Sequence, residues 1–94
     1  MTSEVRQRRP VRREGVWLRA TAEENAVFDP ATGGLHLLNE TARAIWELCD
    51  GATTTAEMVE AICSVTGLPR DVVTEDVERT LTEFERLGIL RWEE

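Results

Sequence analysis

From residue 16 onward, the early part of the chain alternates between apolar and polar positions, as half-buried β-strands do. Residues 16–20 show this period of two most clearly. Two further short apolar runs lie at residues 26–28 and 35–38. The intervening residues 29–34 include one Pro and two Gly, which favour a turn. Short strands with short connections pair with their sequence neighbours, so the pattern predicts a three-stranded antiparallel meander.

After residue 38 the apolar residues recur every three or four positions, which predicts α-helices. Asn39 is a favourable N-cap for the first helix, and Gly51 is suited to the left-handed position that ends it. Thr54 and Glu57 fit a capping box at the start of the second helix, and Gly67 ends that helix. The sequence therefore marks both ends of both helices.

The third predicted helix is the longest and covers about residues 70–87. Its apolar stripe contains Val73, Val77, Leu81 and Phe84. Gly88 ends this helix, and residues 89–92 form a final extended segment on the core. Three strands followed by three helices predict an α+β fold, with the helices packed on one face of a small antiparallel sheet.

The composition predicts a single domain with an uneven distribution of charge. A chain of 94 residues with an apolar fraction of 41% builds one modest core and leaves little room for an enclosed active site. Residues 1–20 contain six Arg and two Glu, whereas residues 21–94 contain five Arg and sixteen acidic residues. We expect residues 1–13 to be a flexible Arg-rich arm and residues 14–94 to be the folded domain. The acidic body repels phosphate backbones, so no nucleic acid partner is expected.

The reactive side chains show no arrangement typical of a catalytic or metal site. Cys49 and Cys63 form no CxxC motif, and His36 is the single His. No nucleophile–base pair or phosphate-binding loop is recognisable, so we expect no enzyme activity, no metal and no cofactor. No apolar run is long enough to span a membrane and no signal peptide is visible. We therefore expect a cytoplasmic protein with free thiols and no membrane partner.

Several segments resemble the PqqD family in their order and spacing, over roughly residues 14–92. The most specific part is formed by residues 37–42 and 45–51. The supporting segments are residues 27–33, the Thr-Thr-Ala-Glu helix start at residues 54–57, residues 75–77 and residues 87–90. Each supporting segment is short, and the resemblance depends on their combination.

The resemblance implies a winged helix-turn-helix-like fold that binds peptides rather than DNA. Members of this family act as recognition elements for ribosomally synthesised, post-translationally modified peptides, as in pyrroloquinoline quinone or lasso peptide biosynthesis. The leader segment of the precursor adds as a further strand to the small sheet, beside the third helix. The implied partners are the precursor (leader) peptide and a modifying enzyme such as a leader protease, a cyclase or a radical SAM enzyme.

The strand at residues 35–38 suits this role if it forms the open edge of the sheet. An open edge carries unpaired N–H and C=O groups, which an extended peptide satisfies by strand addition. The trough between this strand and the third helix is then the expected peptide groove. Its predicted lining residues are Leu35, His36, Leu37, Leu38, Asp76, Val77, Arg79, Thr80, Glu83 and Phe84. Among them, Asp76 and Glu83 favour a cationic leader residue.

Each predicted lining residue of the groove also has a simpler structural interpretation. The apolar ones can be core side chains, and the charged ones can be solvent-exposed charges on the third helix. Two alternative functions stay open: an accessory enzyme subunit without peptide binding, and a winged-helix DNA-binding regulator. The third helix argues against the regulator because residues 70–87 contain six acidic residues and three Arg. The oligomeric state is open between a monomer and an edge-paired homodimer.

Overall fold

The predicted three-stranded sheet and three helices are all present in the computed structural model, which describes residues 8–93. The strands are β1 (Arg9–Arg12), β2 (Trp17–Ala20), β3 (Asn25–Asp29), β4 (Gly34–Leu38) and β5 (Leu90–Glu93). The helices are α1 (Glu40–Leu48), α2 (Thr55–Thr66) and α3 (Arg70–Arg86). The predicted α+β fold class is confirmed. Residues 1–7 of the predicted arm lie outside the described residues.

The antiparallel sheet has the strand order β2-β3-β4, so β3 lies in the middle and β4 at one edge. Leu18, Val27 and His36 lie side by side across the three strands. Val27 is fully buried and Leu18 packs against the core, so this row faces the helices. The turn between β3 and β4 closes at Gly33, whose positive φ of 76° suits glycine and whose N–H donates to the Asp29 carbonyl at 2.8 Å.

The first two helices begin with the side-chain caps that the sequence indicated. The Asn39 side-chain oxygen accepts the Ala42 N–H at 2.8 Å. The Thr54 hydroxyl accepts the Glu57 N–H at 3.1 Å, and the Glu57 carboxylate accepts the Thr54 N–H at 2.9 Å. A cap of this kind contributes about 1 kcal/mol. Because Asn39 follows β4 directly, its cap also holds the junction between the edge strand and α1.

The core lies between the inner face of the sheet and the three helices. Trp46 of α1 meets Phe84 of α3 edge to face, with the ring centroids 5.5 Å apart. Both rings are buried, and Val27 of β3, Met58 of α2 and Val77 of α3 are buried in the same cluster. This shared packing holds α3 at a fixed position relative to α1 and the sheet.

The Arg-rich segment differs from the flexible arm expected over residues 1–13. Its residues 9–12 form β1, which pairs antiparallel with β5 in a second, two-stranded sheet. Pro10 is buried, and the Arg12 guanidinium donates to the carbonyl oxygens of Trp46 and Glu47 at 3.1 and 3.0 Å. These carbonyls lie at the C-terminal end of α1, where a cation is favourable. This part of the segment is therefore fastened to the helical core.

Removing β1 should destabilise the fold. A chain that lacks residues 1–12 loses the β1–β5 ladder and the contacts of Arg12 with α1. At roughly 1 kcal/mol for each lost hydrogen bond, we expect the free energy of unfolding to fall by about 2–4 kcal/mol. Urea unfolding followed by circular dichroism measures the change. The matched control lacks residues 1–7 only, and equal stability of the two shortened chains would show that β1 does not stabilise the domain.

Arg13 connects the end of β3 to the chain just after α3. Its guanidinium forms an ion pair with Asp29 and donates to the Gly88 carbonyl. Asp29 is buried, and burial on its own would raise the pKa of its carboxyl. The hydrogen bonds from Arg13 and from the Ala31 N–H outweigh burial, so the pKa of Asp29 lies below its ordinary value. Asp29 therefore stabilises the fold in its charged form.

The lowered pKa of Asp29 predicts a loss of stability in acid. A carboxyl whose pKa is lower in the folded state contributes stability above its unfolded pKa, here 3.8, and loses it as the pH falls through the folded pKa. We expect the free energy of unfolding to fall in this acid range, and the fall to be smaller in Asp29→Asn. Urea unfolding at a series of pH values measures both profiles. If the free energy of unfolding falls equally with pH in the native chain and in Asp29→Asn, the charged form of Asp29 does not stabilise the fold.

Candidate functional site

β4 presents an unpaired edge. It pairs with β3 on one side, and no strand within residues 8–93 pairs with its other side. Its ladder with β3 ends at the pair Asp29–Gly34, and the next residue, Pro30, has no N–H. If the pair Asp29–Gly34 were held by bonds between its neighbours, Pro30 would have to donate one of them, which it cannot do. The last hydrogen bonds of the ladder must therefore join Asp29 and Gly34 themselves. Because hydrogen-bonded pairs alternate along an antiparallel ladder, the N–H and C=O groups of Leu35 and Leu37 point to the free edge.

The side chains of β4 point alternately to the two faces of the sheet. Leu35 and Leu37 lie on the outer face and are 62% and 66% exposed. His36 and Leu38 lie on the inner face and are half-buried, and Leu38 packs against the core. Two leucines of the predicted site therefore face solvent, in addition to the backbone groups on the free edge.

A groove of about 350 Å³ lies between the end of β4, the start of α1 and one side of α3. It brings together seven of the ten predicted site residues: Leu37, Leu38, Asp76, Arg79, Thr80, Glu83 and Phe84. Asn39, Thr41 and Ala42 also line it and were not predicted. The sequence signal for them is the direct passage from strand to N-cap, which brings the first helical turn to the end of the strand.

Three predicted residues do not line this groove. Val77 is fully buried and lies on the stripe of α3 that packs into the core, so its prediction as a peptide-binding residue is corrected to a core role. Leu35 faces outward nearer the other end of β4. His36 lies on the inner face and is half-buried.

The carboxylates of the groove are already paired along α3. Asp76 forms an ion pair with Arg79, and Glu83 forms one with Arg86, whose Nε lies 3.1 Å from a Glu83 oxygen. The hydrogen bond from Arg86 is the main cause that holds the pKa of Glu83 below its usual value. Because these pairs lie at the surface, they are weak and can be exchanged. Recognition of a cationic leader residue here stays a prediction, and it requires competition with the two arginines.

The outer face of the sheet carries an apolar surface, which we call the outer cluster and which consists of Trp17, Phe28, Leu35 and Leu37. Trp17 is 56% exposed and meets Phe28 edge to face, with 5.5 Å between the ring centroids. Leu35 pairs with Phe28 and extends this row to the edge strand. Arg19 lies on the same face, one residue beyond Leu18 on β2. Trp, Phe and Arg are enriched at protein–protein contacts.

Cys49 is not a reactive thiol. It is fully buried, and burial raises its pKa to about 12, which keeps the sulfur protonated. Cys63 is half-buried. Across residues 8–93, no three His, Cys, Asp or Glu side chains are placed to hold a metal ion. The helices in that region all fall short of the length and apolar character that a membrane span requires.

Residues 24–90 match the family model described as coenzyme PQQ synthesis protein D (PqqD). The chain belongs to the PqqD family. The matched region extends from the start of β3 to the start of β5, so it includes every residue that lines the groove beside β4. No curated protein is similar enough in sequence to count as a match.

Two solved structures share the fold of this PqqD-family chain. One is described as TbiB1 in complex with the TbiA(beta) leader peptide; it has a TM-score of 0.77 and 22% identity, over 86% of this chain and 94% of that chain. The other is described as lasso peptide synthetase B1 complexed with the leader peptide; it has a TM-score of 0.78 and 18% identity, over 87% of this chain and 96% of that chain. At these identities the similarity establishes the fold.

The two thiols of this PqqD-family chain should differ in reactivity. We expect Ellman's reagent to modify Cys63 in the folded protein and Cys49 only after unfolding, because Cys49 is buried and its pKa is about 12. The absorbance of released thionitrobenzoate measures both reactions, and the variant Cys63→Ser isolates Cys49. Fast modification of Cys49 in the folded variant would contradict its burial.

Proposed function

We propose that this PqqD-family chain binds the leader segment of a ribosomally made precursor peptide and brings it to a modifying enzyme. The leader adds as a strand to the free edge of β4 and places alternate side chains in the groove beside α3. The observation that carries the proposal is the presence of that groove alongside an unpaired strand edge. The description of two proteins of the same fold as leader complexes supports it.

The backbone of β4 supplies attraction that depends little on leader sequence. The N–H and C=O groups of Leu35 and Leu37 pair with the backbone of the added strand. Each hydrogen bond of this kind contributes a net of only about 0.5–1.5 kcal/mol, because it replaces a bond to water. Side-chain contacts must therefore supply the rest of the affinity and most of the selectivity.

The groove supplies those side-chain contacts. Leu38, Ala42 and Phe84 give it an apolar part, while Asp76 and Thr80 add polar groups. Its volume of about 350 Å³ is near the lower end of the range for small-ligand sites, which suits a few side chains of an extended peptide. We infer that the leader presents an apolar anchor next to a hydrogen-bonding side chain.

The size of the contact limits the affinity. A leader strand of about six to ten residues buries about 1,000–1,500 Å² in total, at the low to standard end of specific interfaces. The leader orders on binding, which offsets part of the gain. We expect a dissociation constant from tens of nanomolar to a few micromolar, which corresponds to about −8 to −10 kcal/mol.

We propose that the partner enzyme is a leader protease, a cyclase or a radical SAM enzyme, and that this chain is not itself the catalyst. The outer cluster supports an enzyme contact, because Trp17, Leu35 and Leu37 expose apolar area next to the added strand. A protein that receives newly made precursor peptides works in the cytoplasm, and we place this one there.

The edge strand is open to a second copy of the chain as well as to a leader. Residues 34–38 contain no Lys, Asp, Glu or Pro, which are the residues that commonly block edge pairing. The net charge of −7 opposes self-association. We propose that the chain is a monomer when the leader is bound, and that any edge-paired homodimer competes with the leader.

Strand addition predicts a periodic response to N-methylation of the leader. Methylation removes one peptide N–H and keeps the side chain, and only every second N–H of the leader faces β4. In synthetic leaders of any short reading frames found beside this gene, we expect methylation at alternate positions to weaken binding by about 1–3 kcal/mol, with little effect at the positions in between. Isothermal titration calorimetry measures each affinity, and a response without this period would argue against backbone pairing.

The matching change in the protein is Leu37→Pro, which removes an N–H that points to the free edge. Leu37→Ala is the control, because it shortens the same side chain and keeps the N–H. We expect the proline variant to bind the leader about tenfold more weakly than the alanine variant. Equal affinities in two folded variants would move the site away from β4. An absence of leader binding by the native chain would favour an accessory subunit.

A further inference from the structure

A second groove lies between α1 and α2. Its volume is about 440 Å³, and its lining is mainly apolar, with Leu48, Ile62 and Val65 among the residues. Two further lining positions, Ala44 and Ala61, carry side chains too small to fill it. Val65 is 87% exposed, which leaves a branched apolar side chain in water at the rim. We call this feature the α1–α2 groove.

The α1–α2 groove and the groove beside β4 meet at the start of α1. Thr41 lines both of them, and the neighbouring residues Glu40 and Ala42 each line one. β4 ends at Leu38, just before this helical turn. A peptide that is paired with β4 and continues past Leu38 therefore reaches the α1–α2 groove within a few residues.

The charge of the α1–α2 groove restricts what it holds. Its charged lining residues are Glu40 and Glu47. Glu47 is paired with Arg43 at 3.3 Å, whereas the hydrogen-bond donor to Glu40 is the neutral Asn25 side chain, also at 3.3 Å. The rim is therefore negative, and an apolar segment with an adjacent basic residue complements it. A second copy of this chain fits less well, because its net charge is −7.

We propose that the α1–α2 groove binds a second, apolar segment of the same leader, with a basic residue beside Glu40. The inference rests on the proposed function, because the leader must first pair with β4. The leader then follows β4 and bends around the first turn of α1. Since the two segments are connected, binding of one raises the effective concentration of the other at its groove. The whole leader therefore binds more tightly than its strand segment alone.

Titrations with long and short leaders test this inference. The probes are synthetic leaders of any short reading frames found beside this gene, each in full length and trimmed to the segment that N-methylation maps to β4. Val65→Glu adds a carboxylate to the rim of the α1–α2 groove at a position that is largely exposed, so the fold is retained. Val72→Glu is the matched control, because Val72 is 48% exposed and lines neither groove.

We expect Val65→Glu to weaken binding of the full leader by about tenfold or more, because the apolar segment would bury the new carboxylate in place of an apolar contact, and to leave binding of the trimmed leader unchanged. Val72→Glu should leave the affinities for the full leader and for the trimmed leader unchanged. Ala61→Trp fills the α1–α2 groove, so it should also weaken binding of the full leader and leave binding of the trimmed leader unchanged. Circular dichroism checks that this variant is folded. Tighter binding of the full leader than of the trimmed leader by the native chain is also expected.

Several outcomes would overturn the inference. They are an unchanged affinity of Val65→Glu for the full leader, an equal loss for both peptides, or a change only in the oligomeric state measured by sedimentation. Leu37→Pro distinguishes failure of this inference from failure of the proposed function, because it should weaken binding of both the full and the trimmed leader. If Leu37→Pro binds both as well as the native chain does, strand addition to β4 is wrong; if only the Val65→Glu result fails, strand addition stands without the second segment.

Discussion

A backbone N–H or C=O group on the edge of a sheet must be satisfied by water or by another chain, and β4 carries such groups at Leu35 and Leu37. The rest of the site surrounds this edge. Asn39 caps α1 directly after β4, and the contact between Trp46 and Phe84 holds α3 where a groove stays open beside the strand. In the proposed function, the edge pairs with an extended peptide of almost any sequence, while the groove selects among its side chains.

The charged residues divide into those that hold the fold and those that border the grooves. Arg12 and Arg13 belong to the first group, because they bind carbonyl groups and a buried carboxylate. On α3, arginines at the surface pair with the carboxylates of the groove beside β4, so a basic ligand there has to displace them. Within residues 8–93, no cation pairs with Glu40 on α1, which makes Glu40 the more favourable neighbour for a basic ligand.

The sequence by itself determined the three strands of the larger sheet, the three helices and the order of these elements, but it did not indicate β1. These signals are local: an alternation of period two over residues 16–20, an N-cap at Asn39 and a capping box between Thr54 and Glu57 each involve residues within a few positions of one another. The resemblance to the PqqD family was equally local, and the family model matches residues 24–90, within the stretch of roughly residues 14–92 on which the resemblance rests. Most of the groove was predictable too, since it follows from one strand and one helix.

The tertiary structure alone decided which faces are buried and where the Arg-rich segment lies. Both faces of β4 carry leucine, so only packing shows that Leu38 faces the core and Leu37 faces solvent. On α3, Val77 is in the core while Thr80 lines the groove, and the difference depends on where α1 and the sheet meet the helix. Arg12 finds its acceptors about a third of the chain away, at the end of α1. Such contacts join residues that are distant in sequence, and no pattern of neighbouring residues encodes them.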